Sequence, residues 1–211
     1  MATDRIHQQF FDRHAPTWDE EENAEKIAAL QKVFKSLGQQ LCGNILDLGC
    51  GTGILVPLVR QFGSDFHLYE LDLSLSMIRQ NRNRWQTDRE LFQINADVHQ
   101  LPFPLAQFDT LLCFAALPHF ANQSVALQEF TRVLKPDGFL VVLHLMSSTI
   151  LNRYHRLTDP AVARDRLPTV SELAAQLNRL GFAVLRKTEK EDLYLVVAKN
   201  TGREQTGFAG K

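Results

Sequence analysis

The chain has 211 residues, 45% hydrophobic and 22% charged, enough apolar content to pack the core of a single domain. A formal net charge of -1 excludes the basic footprint of a nucleic-acid binder, and Cys42, Cys50 and Cys113 lack the spacing of a disulfide framework or a zinc knuckle. No signal-type apolar stretch opens the chain and no apolar run is long enough to span a bilayer, so a cytoplasmic protein with no membrane partner is expected.

The elements alternate along the chain. After a polar N-terminal segment, "NAEKIAALQKVFKSLG" has helical spacing, with Ile27, Leu30, Val33, Phe34 and Leu37 on one side and Gly38 as its stop. Strand "NILDLG" leads into a glycine-rich turn and a helix beginning near Gly53, whose first turn tolerates Pro57. "FHLYELD" reads as a second strand and "SLSMIRQNRNRWQ" as a helix; "LFQINAD" and "FDTLLCFA" are strands three and four. Helix "NQSVALQEFTRVLK", ended by "PDG", precedes the fifth strand, "GFLVVLHLM". The polar stretch Ser147 to Pro168 is long for such a connection; a short helix from about Thr149 to Leu157 is expected in it, covering an acceptor pocket. "TVSELAAQLNRLG" is a further helix, and "FAVLRKTE" and "DLYLVVAK" close the chain as antiparallel neighbours.

Strands alternating with helices imply right-handed parallel βαβ units, here an α/β, doubly wound, seven-stranded and mostly parallel sheet ending in an antiparallel hairpin. Residues 1–200 are read as one domain: an N-terminal helical region over 1–38, a ligand-binding core over 44–146, and an acceptor-side segment with the hairpin over 147–200. The polar tail 201–211 is expected to be disordered.

In such sheets the ligand lies outside the carboxyl ends of the strands, by the first βα turn. Gly49, Gly51 and Gly53 let the backbone approach a ligand there, and Asp72, ending the second strand, can accept both hydroxyls of a ribose. The spacing G-x-G-x-G departs from the dinucleotide fingerprint. Asp47 would also repel a pyrophosphate, by roughly 4 kcal/mol for unit charges about 4 Å apart at an effective dielectric of about 20. Beside an ammonium the same carboxylate is favourable. A nucleoside carrying a cation and an amino acid, S-adenosylmethionine, satisfies both observations, and a nicotinamide-dependent oxidoreductase is disfavoured.

"ILDLGCGTG" resembles the first motif of class I S-adenosylmethionine-dependent methyltransferases, and "LDLSLSMI" their second-strand motif with its ribose-binding acid. "NADVHQLPFPLAQFDTLLC" and "EFTRVLKPDGFLVV" are similar to later segments of the type-11 (ubiquinone/menaquinone-biosynthesis-like) subgroup, and "FFDRHAPTWDE" to its N-terminal lid. The resemblance covers about residues 44–143. It implies a Rossmann-like fold and a cofactor site of Asp47, Gly49, Cys50, Gly51, Gly53, Asp72, Leu73, Met77, Asp97, Val98 and Phe114. In that site Asp97 meets the adenine amino group and the Val98 N–H meets the ring. S-adenosyl-L-homocysteine is the implied product.

Methyl transfer requires alignment of an acceptor with the methyl carbon, and a base only where the acceptor loses a proton. Phe10, Phe11 and Trp18, in the lid-like segment, are candidates to face the sulfonium, with a staple onto the core as the alternative. His119 and His144 are the candidate catalytic groups, with Tyr154 and His155 as further acceptor-side candidates. Where relatives commonly show a second histidine just before His119, this chain has Pro118. The three histidines remain open between a base with helpers and a metal site of three imidazoles at His119, His144 and His155. Arg153, Arg156, Arg164 and Arg166 read as a solvated face partly neutralised by Asp159 and Asp165. The expected partner is a small-molecule methyl acceptor. A non-catalytic S-adenosylmethionine-binding sensor or subunit is the alternative from another functional class.

Overall fold

The computed structural model describes residues 2–21, 23–63 and 66–202. The tail read as disordered lies outside these residues apart from Thr201 and Gly202.

Seven strands form one sheet: β1 (Asn44–Leu48), β2 (His67–Asp72), β3 (Leu91–Asn95), β4 (Phe108–Phe114), β5 (Leu134–His144), β6 (Phe182–Lys190) and β7 (Leu193–Asn200). Their order is β3-β2-β1-β4-β5-β7-β6. β1 to β5 are parallel and β7 runs antiparallel to both β5 and β6. The helices are α1 (Ala2–His14), α2 (Ala24–Leu37), α3 (Val56–Arg60), α4 (Leu75–Arg84), α5 (Gln123–Val133), α6 (Ser148–Thr158) and α7 (Val170–Arg179). The helix expected in the long connection is α6.

The two faces of the sheet bury separate cores, because successive side chains of a strand point opposite ways. In β1, Leu46 and Leu48 join Phe108, Phe130, Leu173 and Tyr194. Ile45 instead joins Leu30, Phe34 and Leu37 of α2 and Leu58 of α3. α2 is capped by Asn23, whose side chain accepts the Lys26 N–H at 2.8 Å, and α7 by a reciprocal box between Thr169 and Glu172.

Two boundaries differ from the sequence reading. The helix after the glycine loop starts at Val56, because Gly53 (φ 85°) holds the chain in successive turns that no helix accommodates. β5 begins at Leu134, before the "PDG" read as a terminator. Leu134 pairs with Phe108 and Phe139 with Thr110, so the intervening residues bulge, with Asp137 at φ 66°.

β1 stands between β2 and β4, where the direction of strand winding reverses. The carboxyl ends of β1, β2 and β4 therefore part to leave a crevice.

Candidate active site

The crevice holds a cleft that is partly open to solvent. It is bordered by Gly49, Cys50, Gly51, Thr52, Asp72, Leu73 and Met77 around the glycine loop and by His7, Phe11 and His119 around the histidines; Trp18, Lys26, Val98, His99, Phe114 and Phe120 also border it.

The glycine loop is fastened to the end of β2. Gly49 and Cys50 donate their N–H groups to the Leu71 carbonyl at 2.8 and 3.0 Å. Gly51, at φ 56°, turns its N–H onto Asp72 Oδ2 at 2.9 Å, while Ser74 N–H reaches Asp72 Oδ1 at 2.8 Å. Each Asp72 oxygen thus keeps lone-pair capacity for another donor. Gly53 does not reach the cleft; a Cβ there would stand 2.7 Å from both Asn81 Nδ2 and Trp85 Nε1. Its role is to pack the loop onto α4.

Beneath the loop, Asp47 and Glu70 are paired across β1 and β2 and fully buried. Asn81 donates to Glu70 Oε2 at 2.9 Å, but Glu70 Oε1 and Asp47 Oδ1 have no hydrogen-bond partner. Burial, and then repulsion by Glu70 and Asp72, pushes the Asp47 carboxyl well above the ordinary carboxylate range. Glu70 is raised chiefly by burial. Burial also lifts Asp72, to about 6, against the opposing pull of the Ser74 and Gly51 N–H groups. Burial and mutual repulsion press this cluster toward its neutral forms; a nearby cation would draw it back to the ionised form, whereas a phosphate would not.

The other end of the cleft is built around Asp165, from the connection between α6 and α7. His119, after β4, places Nδ1 2.6 Å from Asp165 Oδ2, and His7 of α1 places Nε2 2.9 Å from Oδ1. His155 Nδ1 donates to the Asp165 backbone carbonyl at 3.3 Å. Burial raises the Asp165 carboxyl, but the hydrogen bonds from His119 and His7 outweigh it and hold it below its ordinary value. Phe11 meets the His119 ring edge-on at 5.1 Å.

The N-terminal segment closes the cleft. Asp12 accepts from Ser74 Oγ at 2.6 Å and Ser76 N–H at 3.1 Å, so α1 helps cap α4. In the 3-10 turn Ala15–Glu21, Asp19 accepts from Thr52 Oγ1 and pairs with Arg84 at 3.3 Å.

The type-11 methyltransferase domain model matches residues 46–142 of this chain. "O-methyltransferase rstn1" of Aspergillus nomiae is 27% identical over 85% of this chain and 84% of that protein. The "Ubiquinone/menaquinone biosynthesis C-methyltransferase UbiE" of Coxiella burnetii is 37% identical over 50% of this chain and 44% of that protein. The chain thus matches less than half the length of that relative. A solved S-adenosylmethionine-dependent methyltransferase from Aquifex aeolicus superposes with a TM-score of 0.65 at 19% identity, covering 85% of this chain and all of that one, which is a likeness of fold. Residues 46–142 thus form a class I S-adenosylmethionine-dependent methyltransferase domain of the type-11 group.

Of the residues singled out by sequence for this methyltransferase, Gly49, Cys50, Gly51, Asp72, Leu73, Met77, Val98, Phe114, Phe11, Trp18 and His119 border the cleft. Asp47 and Gly53 support the loop from outside the cleft wall. Asp97 Oδ1 accepts from its neighbour, His99 N–H at 2.9 Å and His99 Nδ1 at 2.5 Å, and it is His99 that borders the cleft. His144 is buried at the end of β5 with its ring edge-on to Tyr194 at 5.6 Å, and does not border the cleft. Burial, with repulsion by His119 and His155, lowers its pKa to about 3. Tyr154 is half-exposed on α6, away from the cleft. Among the described residues the ligand atoms that converge are those of His7, His119 and Asp165, all within 4.8 Å of one another, not the three imidazoles of the sequence reading. Asp165 is also no surface partner for the arginines: it faces the histidines, and Arg166 pairs with Glu172 at 2.8 Å.

Sequence reasoning missed His7, Lys26, His99 and Asp165. His99 carried a local signal, since a histidine two residues after an aspartate can close a ring onto it. His7 lies one helical turn before Phe11, so the two share a face of α1. Nothing near Asp165 distinguishes it from Asp159.

Proposed function

We propose that this methyltransferase transfers a methyl group from S-adenosyl-L-methionine to an oxygen or acidic carbon of a small molecule, with His119 receiving the acceptor's proton and S-adenosyl-L-homocysteine as product. The observation that carries this reading is one cleft bordered by the glycine loop with Asp72 at one end and by His119 held on Asp165 at the other. S-adenosyl-L-methionine supplies a methyl carbon made electrophilic by its sulfonium.

Asp72 accepts the ribose hydroxyls on lone pairs left by its two backbone donors. Asp47 and Glu70, pushed toward their neutral forms while the site is empty, ionise when the ligand's ammonium lies nearby and so favour it from beneath the loop. Met77, Val98 and Phe114 offer apolar walls to the base, with His99 at its edge. Phe11 and Trp18 turn aromatic rings to the reacting region, a contact worth about 0.5–2 kcal/mol to a cation, and with α1 they exclude water. Asp165 fixes the His119 Nδ1 proton, which leaves Nε2 unprotonated to act as base. By their names, two relatives methylate at oxygen and at carbon; an acceptor of either kind sheds a proton when methylated, which calls for such a base.

Calorimetric titration with S-adenosylhomocysteine, beside an NAD control and the Asp72→Ala variant, tests the cofactor site. Micromolar binding of the homocysteine compound alone, lost in the variant, is expected; preference for NAD refutes the site. Homocysteine-product formation across a panel of phenols and enolic carbon acids then tests the acceptor, and turnover unaffected by His119→Gln removes the base.

A further inference from the structure

The Asp165 carboxylate is gripped from two sides by segments distant in sequence, with His7 and His119 lying 158 and 46 residues from it. Its side chain is 8% exposed and that of His7 is 4% exposed, so the contact is shielded from water. The carboxyl is held below its ordinary pKa by these two hydrogen bonds against the effect of burial, and is therefore an ionised, acceptor-only group. Both imidazoles must donate to it. His119 is then the Nδ1–H tautomer and His7 the Nε2–H tautomer, opposite forms set by one carboxylate.

His7 gives up something for this contact. Its other nitrogen, Nδ1, is buried without a partner, although the ring stands in the cleft wall at 6.1 Å from the His119 ring. An apolar residue would dock α1 without leaving that orphaned atom. The helix has a separate anchor in Asp12, which holds the start of α4. The remaining role for the imidazole is its effect on Asp165.

We infer that His7 is a positioning residue for the methyl-transfer base: it holds the second oxygen of Asp165 and, through it, confines His119 to the tautomer that leaves Nε2 free. The inference rests on the reading of His119 as base. Its consequence is that the base is complete only while α1 covers the cleft. When α1 lifts, Asp165 loses one of its two imidazole donors to water, and His119 loses its single tautomer. Proton uptake is thereby restricted to the closed, dry state in which transfer occurs.

The test uses the full chain labelled with 15N and reads ring nitrogens by long-range proton–nitrogen correlation at pH 8, with and without S-adenosylhomocysteine. His7→Gln and His119→Gln assign the two rings. The wild type should show His119 as Nδ1–H and His7 as Nε2–H. In His7→Leu, His119 should become a mixture of tautomers, with its Nδ1 proton exchanging at least tenfold faster, while the Kd for S-adenosylhomocysteine changes less than about threefold. His7→Gln, which presents an N–H at the same reach, should restore the single tautomer. His7→Asn, one carbon shorter, repeats the loss should His7→Leu not fold. An unchanged His119 tautomer in both His7→Leu and His7→Asn overturns the inference, as does the same tautomer on both wild-type rings. Stoichiometric metal in the purified protein with both ring protons missing overturns it too. Absence of S-adenosylhomocysteine binding is a separate result: it strikes the cofactor reading, while the ring tautomers of the unliganded protein still decide the role of His7.

Discussion

The two ends of the cleft treat buried charge in opposite ways. At the glycine loop, Asp47, Glu70 and Asp72 crowd together, and two of their oxygens have no partner. At the acceptor end, one carboxylate, Asp165, has an imidazole on each oxygen and a third on its backbone carbonyl. The first arrangement is unfavourable until a cation arrives, so it stores affinity for a charged ligand. In the second the carboxylate itself is satisfied within the protein, so it stores geometry. The proposed transfer, to an acceptor that sheds a proton, uses both: a cationic donor drawn to one end and a fixed proton acceptor at the other.

The largest effect should come from breaking the satisfied end. Asp165→Ala strands the His7 and His119 N–H groups in a buried site, at about 1–3 kcal/mol each. Urea unfolding should show a loss of about 2–4 kcal/mol, with the Kd for S-adenosylhomocysteine within about threefold of wild type. A parallel loss of cofactor affinity would mean that the two ends are one unit and the contrast is false. At the unsatisfied end the response should appear in binding. Asp72→Ala removes charge-assisted hydrogen bonds worth about 1.5–3 kcal/mol, a roughly ten- to hundredfold weaker Kd for S-adenosylhomocysteine by calorimetry.

Acid sharpens the same contrast. Burial lifts Asp72 to about 6, and in the proposed site only its ionised form accepts from both ribose hydroxyls. Affinity for S-adenosylhomocysteine should therefore fall about tenfold between pH 7 and pH 5. A flat profile over that range, read by calorimetry, would show that Asp72 is already ionised in the free protein and that its neighbours do not press on it.

The glycine-loop end was legible in sequence because its parts are local. Asp47, the three glycines and Asp72 fall on one strand, one turn and the next strand, and parallel pairing of β1 with β2 brings them together. The sheet followed from the same alternation of strand and helix, down to the hairpin. The acceptor end was only half legible. His119 sits after β4, where sheet topology places it in the crevice, but Asp165 and His7 reach it from a long connection and the N-terminal helix, whose docking no periodicity encodes. Asp97 shows a local effect that the motif did not signal: its Oδ1 accepts from His99 two residues on, which brings His99 to the cleft wall.

His144 gives the smallest expected effect. Its place at the end of β5 made it look like a partner of His119, yet it is buried against Tyr194 and kept neutral, with a pKa near 3. In the unfolded chain the same ring titrates near 6.5. Between these values the unfolded state binds the extra proton, so stability falls as pH drops below about 6.5. Asp72 acts in the other direction: with its folded pKa raised to about 6, it favours the folded state as pH falls from about 6 towards 4. His144→Phe keeps a ring against Tyr194 and removes only the first of these dependences. Between pH 7 and pH 5.5 the wild type should lose about 1 kcal/mol more stability than the variant, read from urea midpoints in the two buffers. Equal losses would mean that His144 already carries its proton in the folded state, and so belongs with the functional histidines after all.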